Sequence, residues 1–423
     1  MAATLVEIDG IVIEREETPA SLQELSEIMR QSWQAGTPVV PTGGGTKLTL
    51  GNPLRSAGMV LRLSRLSGII EYEPDNMTVS VRAGTSLHEL QSALSRANQF
   101  LPLDPPHSDR ATAAGLVACN TSGPIRLRYG TLRDMLIGVR VVHADGSATK
   151  AGGKLVKNVT GYDMCKLYTG SLGTLGILSE LTFKVWPKPE VLSTIIIVRE
   201  SFEEALETTQ AILRSGLLPD AVEAWNASAF QRLTGEDIGS AWAVMVRFGD
   251  IRRAVEWQVG RIGEIIPSGA GRVHVLEEGE SESFWHKAAS AREQSEGVED
   301  ARIKCSVLSQ SAAGTVRRME AMAEKLGARA SLFCHAATNV VYGHYAWQSS
   351  VPDTETLLRE FASLRSHCAG VGGHMVVEKV KPEVKRGFDV WGYEAKALAV
   401  MRQIKQQFDP KGLLNPGRFV GGI

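Results

Sequence analysis

Three consecutive glycines, Gly43 to Gly45, stand between a short apolar run and the pair Thr46 and Lys47 in the stretch "VVPTGGGTKLTLGNP". Because glycine has no Cβ, such a run permits positive φ and lets backbone N–H groups approach a ligand closely. A phosphate group is the usual ligand of such a loop. A flexible hairpin tip has a similar composition, so this stretch alone supports both interpretations.

Small residues recur in three later stretches, which read "ATAAGLVACNTSG", "LRYGTLRD" and "GYDMCKLYTGSLGTLGILSELTFKV". Hairpin turns alone do not require so many glycine-bearing segments. A long ligand that lies close to the backbone of several segments does require them. The spacing matches neither the G-x-G-x-x-G of Rossmann dinucleotide sites nor the G-x-x-x-x-G-K-[ST] of P-loops. The pattern therefore indicates an extended ligand that neither of those two folds holds.

The composition is that of an ordinary globular protein, with 43% hydrophobic and 22% charged residues among 423. The formal net charge is −1 and no long run carries one sign of charge, so a nucleic-acid partner is not indicated. No apolar stretch reaches the about 18 residues of a membrane span, and "MAATLVEIDGIVIEREE" lacks the features of a signal peptide. We therefore expect a cytoplasmic protein, whose contact with a membrane, if there is one, is made through partners.

The five cysteines are scattered and form no C-x-x-C pair, which excludes the usual spacing of an iron–sulfur cluster or a structural zinc. They are Cys119, Cys165, Cys305, Cys334 and Cys368. We expect reduced thiols, most of them buried.

The elements around the glycine loop follow from periodicity. Thr18 and Pro19 are typical of a helix start, and "SLQELSEIMRQSWQAG" has helical apolar spacing up to Gly36. Residues 38–40 predict a short strand that leads into the loop, and a capping box opens the helix "SLHELQSALSRANQ". Residues 101–122 show little periodicity, which is typical of an irregular functional segment.

The pattern changes after "VWPKPE", which ends at Glu190. Helical stretches such as "SFEEALETTQAILRSG" and "DIRRAVEWQVGRIGEI" then alternate with strand-like pieces such as "AWAVMVRF" and "SLFCHAA". Short connections between them predict a sheet covered by helices. We therefore predict an α+β fold with two domains, at residues 1–190 and 191–423.

Five ordered motifs resemble the FAD-binding domain of the vanillyl-alcohol oxidase and p-cresol methylhydroxylase superfamily. They are "PTGGGT", "LPLDPP", "ATAAGLVACNTSG", "YGTLRDMLIGV" and "KNVTGYDMCKLYTGSLGTLGILSELTFKVWP". The tail "IKQQFDPKGLLNPGRF" is similar to the C-terminal signature of the 2-hydroxy-acid branch, within which the chain resembles the smaller FAD-binding subunits of glycolate oxidase complexes. The resemblance implies a two-part flavin domain of the p-cresol methylhydroxylase type, then a cap or substrate domain whose last segment, 395–423, returns to the flavin domain.

The resemblance also assigns residues to a non-covalent FAD. The glycine loop offers backbone N–H groups and a threonine hydroxyl to the pyrophosphate, a middle group flanks the ribityl and isoalloxazine end, and a last pair presents main-chain groups to the flavin. In that order the residues are Gly43, Gly44, Gly45 and Thr46; Pro102, Asp104, Thr112, Gly115, Asn120 and Ser122; Gly173 and Ile177. Many relatives bond FAD through a histidine in the glycine loop or a later cysteine, and this loop has no histidine.

The implied activity is that of an FAD-dependent oxidoreductase acting on the CH–OH group of glycolate, lactate or a similar 2-hydroxy acid. Such chemistry moves the Cα hydride to the flavin while a base takes the hydroxyl proton and a cation holds the carboxylate. Because no iron–sulfur cysteine pattern lies in this chain, we expect a separate iron–sulfur subunit to accept the electrons. The sequence identifies neither the base nor the particular acid.

We expect no catalytic metal. The larger, catalytic relatives carry H-x-G-D-G-N-x-H and a downstream acidic residue before H-G, whereas this chain reads "FCHAATNVVYGHY" and "GGHMVVEK". His335 and His344 are nine residues apart, and in a single strand an odd separation points them to opposite faces unless a bulge or a turn near Gly343 intervenes. Glu378 with one histidine gives too few ligands for tight binding. We interpret both histidines as structural.

Arg302 and Lys304 alternate with apolar residues, so they share one side of a strand that faces either a flavin cleft or, as we expect, water. Trp225, Trp285 and Trp391 are interpreted as core anchors. The departure from the metal motif leaves a second function open, that of a non-catalytic subunit that holds FAD beside a larger catalytic flavoprotein.

Overall fold

The computed structural model describes residues 5–154, 161–266, 271–293, 299–347, 350–392 and 396–423. The chain divides into two units. Unit 1 consists of Met1–Ser122, Gly130–Lys188 and Tyr393–Ile423, and unit 2 of Gly123–Tyr129 and Pro189–Gly392. The short excursion Gly123–Tyr129 has no counterpart among the predictions from sequence.

The first 188 residues contain short strands and short helices. The strands are β1 (Val6–Ile8), β2 (Ile11–Ile13), β3 (Glu16–Glu17), β4 (Val39–Thr42), β5 (Met59–Arg62), β6 (Ile69–Glu73), β7 (Thr78–Arg82), β8 (Gln99–Phe100), β9 (Leu136–Val142), β10 (Ala148–Gly152), β11 (Ile177–Lys184) and β12 (Trp186–Pro187). The helices are α1 (Leu22–Ala35), α2 (Leu87–Ser95), α3 (Ala113–Cys119), α4 (Arg126–Tyr129), α5 (Leu132–Met135) and α6 (Met164–Tyr168).

A parallel sheet in the order β3-β5-β4 and an antiparallel sheet in the order β10-β9-β11-β7-β6 form most of unit 1. Helix α1 buries Leu25, Ile28 and Met29, which recur at helical spacing, and Gly36 ends it at φ 66°. The helix begins later than Thr18 and Pro19 predict, because the side chain of Ser21 accepts the N–H of Glu24 and caps the first turn.

Two expectations for the region after the glycine loop are tested by the elements observed. The capping box is confirmed, because Ser86 accepts the N–H of Glu89 at 3.1 Å and α2 begins at Leu87. The segment 101–122 is not wholly irregular, since it contains α3. Periodicity missed α3 because its residues, "AAGLVAC", are small and buried on several sides. The Lys157–Thr160 start of the last flavin motif lies outside the described residues.

Unit 2 contains eight strands and most of the longer helices within the described residues. The strands are β13 (Val191–Arg199), β14 (Ala221–Asn226), β15 (Trp242–Asp250), β16 (Val273–Glu277), β17 (Glu299–Ser306), β18 (Arg329–His335), β19 (Val340–Trp347) and β20 (His374–Lys379). The helices are α7 (Phe202–Arg214), α8 (Ala227–Thr234), α9 (Arg252–Ile265), α10 (Glu278–Ala291), α11 (Ser309–Leu326), α12 (Thr354–Gly370) and α13 (Pro382–Arg386); α14 (Leu398–Phe408) follows in unit 1.

The eight strands form one antiparallel sheet in the order β16-β13-β15-β14-β18-β19-β17-β20, which confirms the predicted α+β class. One face carries a large apolar core with α7, α9, α11 and α12, to which Ala224, Ile303 and Cys334 contribute. The opposite face carries a smaller core with Trp225, Phe333 and α10. Alternation along the strands therefore separates a mainly apolar face from one that bears more charged side chains. No described helix is long and apolar enough to span a membrane.

Candidate functional site

The glycine loop presents a row of free hydrogen-bond donors. Strand β4 ends at Thr42, and the chain then turns through Gly43, Gly44, Gly45 and Thr46. Within the described residues, none of the four backbone N–H groups from Gly43 to Thr46 donates to a protein acceptor. Consecutive N–H groups without internal partners form a concave site for an anion.

The structure gives a different reason for the glycines from the one that the sequence suggested. A Cβ on Gly43 would lie 2.0 Å from the hydroxyl oxygen of Thr112, and a Cβ on Gly44 would lie 1.7 Å from the carbonyl oxygen of Arg110. Gly45 has φ +73°. The first two glycines are therefore required because the loop packs against residues 110–112, and only indirectly because a ligand approaches it.

The loop forms one wall of a cavity in unit 1 with about 1000 Å³ of space, part of it open to solvent. Eight of the residues assigned to FAD line it: Gly43, Gly44, Gly45, Thr46, Thr112, Gly115, Gly173 and Ile177. Stretches far apart in sequence thus meet at one surface.

Four of the assigned residues, Pro102, Asp104, Asn120 and Ser122, are not among those that line this cavity. In the stretch "LPLDPP" the cavity is lined by Pro105 and Pro106 instead of Pro102 and Asp104. In the stretch "ATAAGLVACNTSG" it is lined by Thr121 and not by Asn120 or Ser122. Asn120 ends α3 at φ 49° and is exposed, while the hydroxyl of Ser122 accepts the N–H of Leu132 at 3.3 Å. The motifs located the two stretches, but they identified only some of the residues that face the cavity, Thr112 and Gly115 in the second stretch and none in the first.

The C-terminal segment supplies cavity residues that the sequence did not single out. The backbone of Val39 donates to Leu413 at 2.8 Å and accepts from Asn415 at 3.0 Å, which attaches the segment beside β4. Asn415 and Arg418 both line the cavity. The "LLNPGRF" signature marked this segment, but only the bridge to Val39 shows which of its residues reach the cavity.

A buried lysine and aspartate fix the C-terminal segment in place. The Asp409 carboxylate accepts the N–H groups of Leu413 and Leu414, at 3.0 and 2.7 Å. The ammonium of Lys405 donates to this carboxylate at 2.7 Å and to the carbonyl of Thr174 at 2.8 Å. Burial lowers the pKa of Lys405 while Asp409 opposes that change. The pair therefore ties the tail to the turn that precedes Ile177.

Arg418 carries a positive charge to the cavity wall, where a partner in unit 1 neutralises it. Its side chain is buried and donates to the Asp9 carboxylate at 2.6 Å. Burial lowers the pKa of Arg418 and Asp9 raises it. Because Asp9 compensates this charge within the chain, Arg418 brings little net charge to the cavity wall.

The two histidines of unit 2 lie on the same face of the sheet, so the argument from their odd separation is wrong. They belong to adjacent strands, joined by a turn at residues 336–339, and Ser331 pairs directly with His344 across β18 and β19. His335 is four residues from Ser331 on the same strand, so the histidines are about 13 Å apart. Gly343 lies within β19 and forms no turn.

Each histidine is held by a charged neighbour. Nδ1 of His335 is bonded to the Glu223 carboxylate, and Nδ1 of His344 lies 3.4 Å from the Arg232 guanidinium. Glu223 also accepts the indole N–H of Trp225 at 2.9 Å. Burial would raise the pKa of Glu223, but His335 and the guanidinium of Arg292 hold it below its usual value. These contacts fix the orientation of the His335 ring.

The described residues of unit 2 do not fit a catalytic metal. No group of three histidine, cysteine, aspartate or glutamate side chains in the described ranges could hold an ion. Tyr342, seven residues after His335, stands where the H-x-G-D-G-N-x-H motif has its second histidine, and it stacks on Phe333. Glu378 lies on β20, two strands from His344, at a distance of about 10 Å.

Arg302 is not solvent-facing, contrary to the expectation. Arg302 and Lys304 do share one side of β17, but Arg302 is only 5% exposed and pairs with Glu293. Lys304 is half-buried, with its ammonium 5.8 Å from the ring of Tyr342. Because Arg302 requires a carboxylate partner when buried, its burial depends on Glu293 at the end of α10.

The expectations for tryptophans and cysteines are largely met. Trp225 and Trp285 are buried in the smaller core of unit 2. Trp391 is partly exposed and packs against the larger core. All five cysteines are free thiols, of which only Cys119 is not buried. Cys119 lines the cavity of unit 1.

Comparison with protein-family models gives two matches that together cover most of the chain. Residues 16–152 match the model described as FAD binding domain. Residues 188–419, more than half of the 423, match the model described as FAD linked oxidases, C-terminal domain.

Similar proteins of known name extend these matches. The glycolate oxidase subunit GlcD of Bacillus subtilis is 29% identical over 415 residues, covering 95% of this chain and 87% of that protein. The glycolate oxidase subunit GlcE of Escherichia coli is 38% identical over 186 residues, or 44% of this chain, and the match spans about half, 52%, of that protein. A D-lactate dehydrogenase of Archaeoglobus fulgidus is 28% identical over 95% of this chain and 90% of its own.

Among solved structures, p-cresol methylhydroxylase with substrate bound superposes with a TM-score of 0.75. The superposition covers 96% of this chain and 88% of the other at 15% sequence identity. At that identity the likeness concerns the fold, which is the two-part flavin domain and cap that the motifs predicted.

Proposed function

The chain belongs to the FAD-linked oxidases, and from that membership we propose that it is the FAD-binding subunit of a complex that oxidises a 2-hydroxy acid of the glycolate or lactate type. It is an FAD-dependent oxidoreductase. The names of its relatives, two glycolate oxidase subunits and a D-lactate dehydrogenase, support the substrate class and oxidation at a CH–OH group.

The observation that carries the proposal is the row of free N–H groups from Gly43 to Thr46 at the cavity wall. The diphosphate of FAD brings two negative charges, and such donors are suited to it because they are fixed by the fold before the ligand arrives. Two buried polar atoms of the lining, Thr42 Oγ1 and Asn415 Oδ1, also have no partner in the described part of the chain. The donor set of the cavity fits the diphosphate of FAD.

In the proposed reaction this chain binds and orients the cofactor. When bound, FAD supplies the acceptor for a hydride that leaves the substrate carbon. The loop N–H groups hold the diphosphate, and the hydroxyl of Thr112, which accepts the N–H of Gly115 at 3.3 Å, keeps the start of α3 against the loop. Lys405 and Asp409 hold the C-terminal segment over the same cavity. No residue is assigned as the base.

The onward acceptor belongs to another subunit in this proposal. The cysteines are single and mostly buried, and no cluster of metal-ligating side chains occurs in the described residues. We assign electron transfer to a separate iron–sulfur subunit, beside which a larger flavoprotein forms part of the complex. The match to a protein named as a glycolate oxidase subunit supports this arrangement.

A second function is favoured by Tyr342, which stands where the metal motif has its second histidine. Without that histidine, the described residues offer too few ligands for a metal beside the substrate. In this alternative the chain holds FAD without turning over substrate, and the larger flavoprotein performs the oxidation.

Co-expression with the neighbouring subunits tests the proposal and separates the two functions. Alone, the chain is expected to oxidise glycolate and lactate slowly with a dye acceptor, and the assembled complex is expected to do so quickly. A complex containing Gly44→Val should lose this activity if the flavin of this chain lies on the electron path. Full activity with that variant would support the non-catalytic role, and fast peroxide formation by the chain alone would reject both in favour of a self-sufficient oxidase.

A further inference from the structure

Two buried side-chain oxygens at the cavity have no hydrogen-bond partner within the described residues. Thr42 is 5% exposed and Asn415 is 7% exposed, and both line the cavity of unit 1. Within the described residues, neither the hydroxyl oxygen of Thr42 nor the side-chain oxygen of Asn415 meets a protein partner. Buried polar atoms in folded proteins nearly always have a partner, so an exception at a cavity wall points to a ligand.

The orientation of Asn415 is determined by its other contacts. Its side-chain amide N–H₂ donates to the carbonyl of Leu172 at 2.6 Å, and its backbone is fixed by Val39 on one side and by the N–H of Arg418 on the other. The residue has φ 43°, a conformation that asparagine tolerates better than most side chains. The amide nitrogen is therefore occupied, and the amide oxygen is the atom left to accept a hydrogen bond.

Thr42 lies at the end of β4, directly before the glycine loop. Its backbone carbonyl accepts the N–H of Leu63 at 2.8 Å, which fixes the residue in the parallel sheet. Its hydroxyl can donate or accept. The position places this hydroxyl one residue before the first free N–H group of the loop.

We propose that Thr42 and Asn415 bind the cofactor directly, Asn415 Oδ1 by accepting a hydrogen bond from a hydroxyl or amino group of FAD and the Thr42 hydroxyl by bonding to the adjacent part of it. This inference rests on the proposal that the cavity holds FAD. It makes the C-terminal segment part of the cofactor site, although that segment is more than 360 residues from β4 in sequence.

The chemistry of the amide oxygen limits which part of FAD it meets. An ionised diphosphate has only acceptors, so it cannot satisfy an acceptor on the protein. Asn415 therefore faces a group that carries hydrogen, which in FAD means a ribityl or ribose hydroxyl, the adenine amino group or the flavin imide N–H. The diphosphate is left to the loop N–H groups.

The test measures FAD affinity and the rise in melting temperature that FAD causes in Thr42→Val and Asn415→Ala. Thr42→Val keeps the side-chain shape and removes the hydroxyl. Each variant should bind FAD about 2- to 10-fold more weakly, the range expected for loss of one hydrogen bond. The stabilisation by FAD should shrink accordingly, because ligand stabilisation depends on affinity.

Two controls separate binding from structural roles. Ser171→Ala removes a buried, unpartnered hydroxyl that does not line the cavity, and Asn52→Ala removes a bond from the Asn52 side chain to the carbonyl of Phe419 at 3.1 Å. Both should leave the melting-temperature rise on FAD addition unchanged even if the apoprotein is less stable. Unchanged FAD affinity in both Thr42→Val and Asn415→Ala would overturn the inference alone, whereas a wild-type chain that binds no FAD would overturn the proposed function as well.

Discussion

The cavity of unit 1 and the charged face of the unit 2 sheet treat polar groups in opposite ways. At the cavity, four loop N–H groups and the side-chain oxygens of Thr42 and Asn415 have no partner in the described chain. On the sheet, Glu223 meets His335, and Arg302 meets Glu293. At the cavity the unmatched atoms lie at the wall of a space that a ligand can fill, whereas on the sheet the charged groups pair with one another, although Nε of Arg302 has no partner within the described residues.

The same two regions show why sequence motifs predicted the cavity of unit 1 better than the contacts of the histidines in unit 2. In unit 1 the glycines indicate a backbone conformation, and their spacing in the sequence is enough to predict it. In unit 2 the histidines mark side-chain chemistry, which depends on the neighbours that the sheet order supplies. A histidine at the position that a motif predicts therefore does not identify a functional site until its hydrogen-bond partner is known.

The largest effect is expected from Gly44→Val. Its Cβ would meet the carbonyl oxygen of Arg110 at 1.7 Å, so the loop must leave its position and the N–H row is lost. Flavin occupancy of the purified protein, read from the absorbance near 450 nm, should fall from about one per chain to near zero. Gly260→Val is the matched control, because a Cβ there meets no atom within 4 Å. Full occupancy in Gly44→Val would show that the loop does not hold the cofactor.

A large effect on stability, rather than on flavin, is expected from Glu223→Gln. The substitution removes the charge that compensates Arg292 and contacts His335, and removing one member of a buried pair costs about 3 kcal/mol of unfolding free energy. Denaturant unfolding measures this, while the flavin content per folded chain should not change. Loss of flavin at unchanged stability would assign Glu223 to a ligand site instead.

The effect of Glu223→Gln on the free energy of unfolding should depend on pH. The pKa of Glu223 is lowered in the folded protein from the value of 4.5 that it has when unperturbed, so its contribution to stability is present above that pH and is lost as the pH falls. The difference in unfolding free energy between wild type and Glu223→Gln should therefore be greatest near neutral pH and decrease below about pH 4.5. A difference that grows on acidification would contradict the pairing.

The smallest expected signal is metal content. Because Tyr342 stands in place of a second histidine and no group of three metal-ligating side chains occurs in the described residues, elemental analysis after extensive dialysis without a chelator should find no stoichiometric metal. Near-stoichiometric zinc, manganese or iron that disappears in His335→Ala would overturn this expectation. It would also make the polar face of unit 2 a ligand site like the cavity of unit 1.

Much of the fold and half of the site could be predicted from the sequence. The glycine loop, the helix before it and the change of pattern at Glu190 are local signals that survive in the structure. Asn415 could not be predicted, because its role depends on a backbone bridge between Val39 and Leu414. The contact of His335 with Glu223 could not be predicted either, because the two residues are 112 apart in sequence and meet only where β18 pairs with β14.

Flavin stoichiometry before and after acid precipitation tests most directly the claim that the cavity of unit 1 holds FAD without a covalent bond. Purified protein should be yellow, with one FAD per chain, and acid or heat should release all of the flavin intact into the supernatant, identified as FAD by chromatography. Colourless protein that does not take up added FAD would contradict the claim, and flavin that stays in the protein pellet would contradict non-covalent binding.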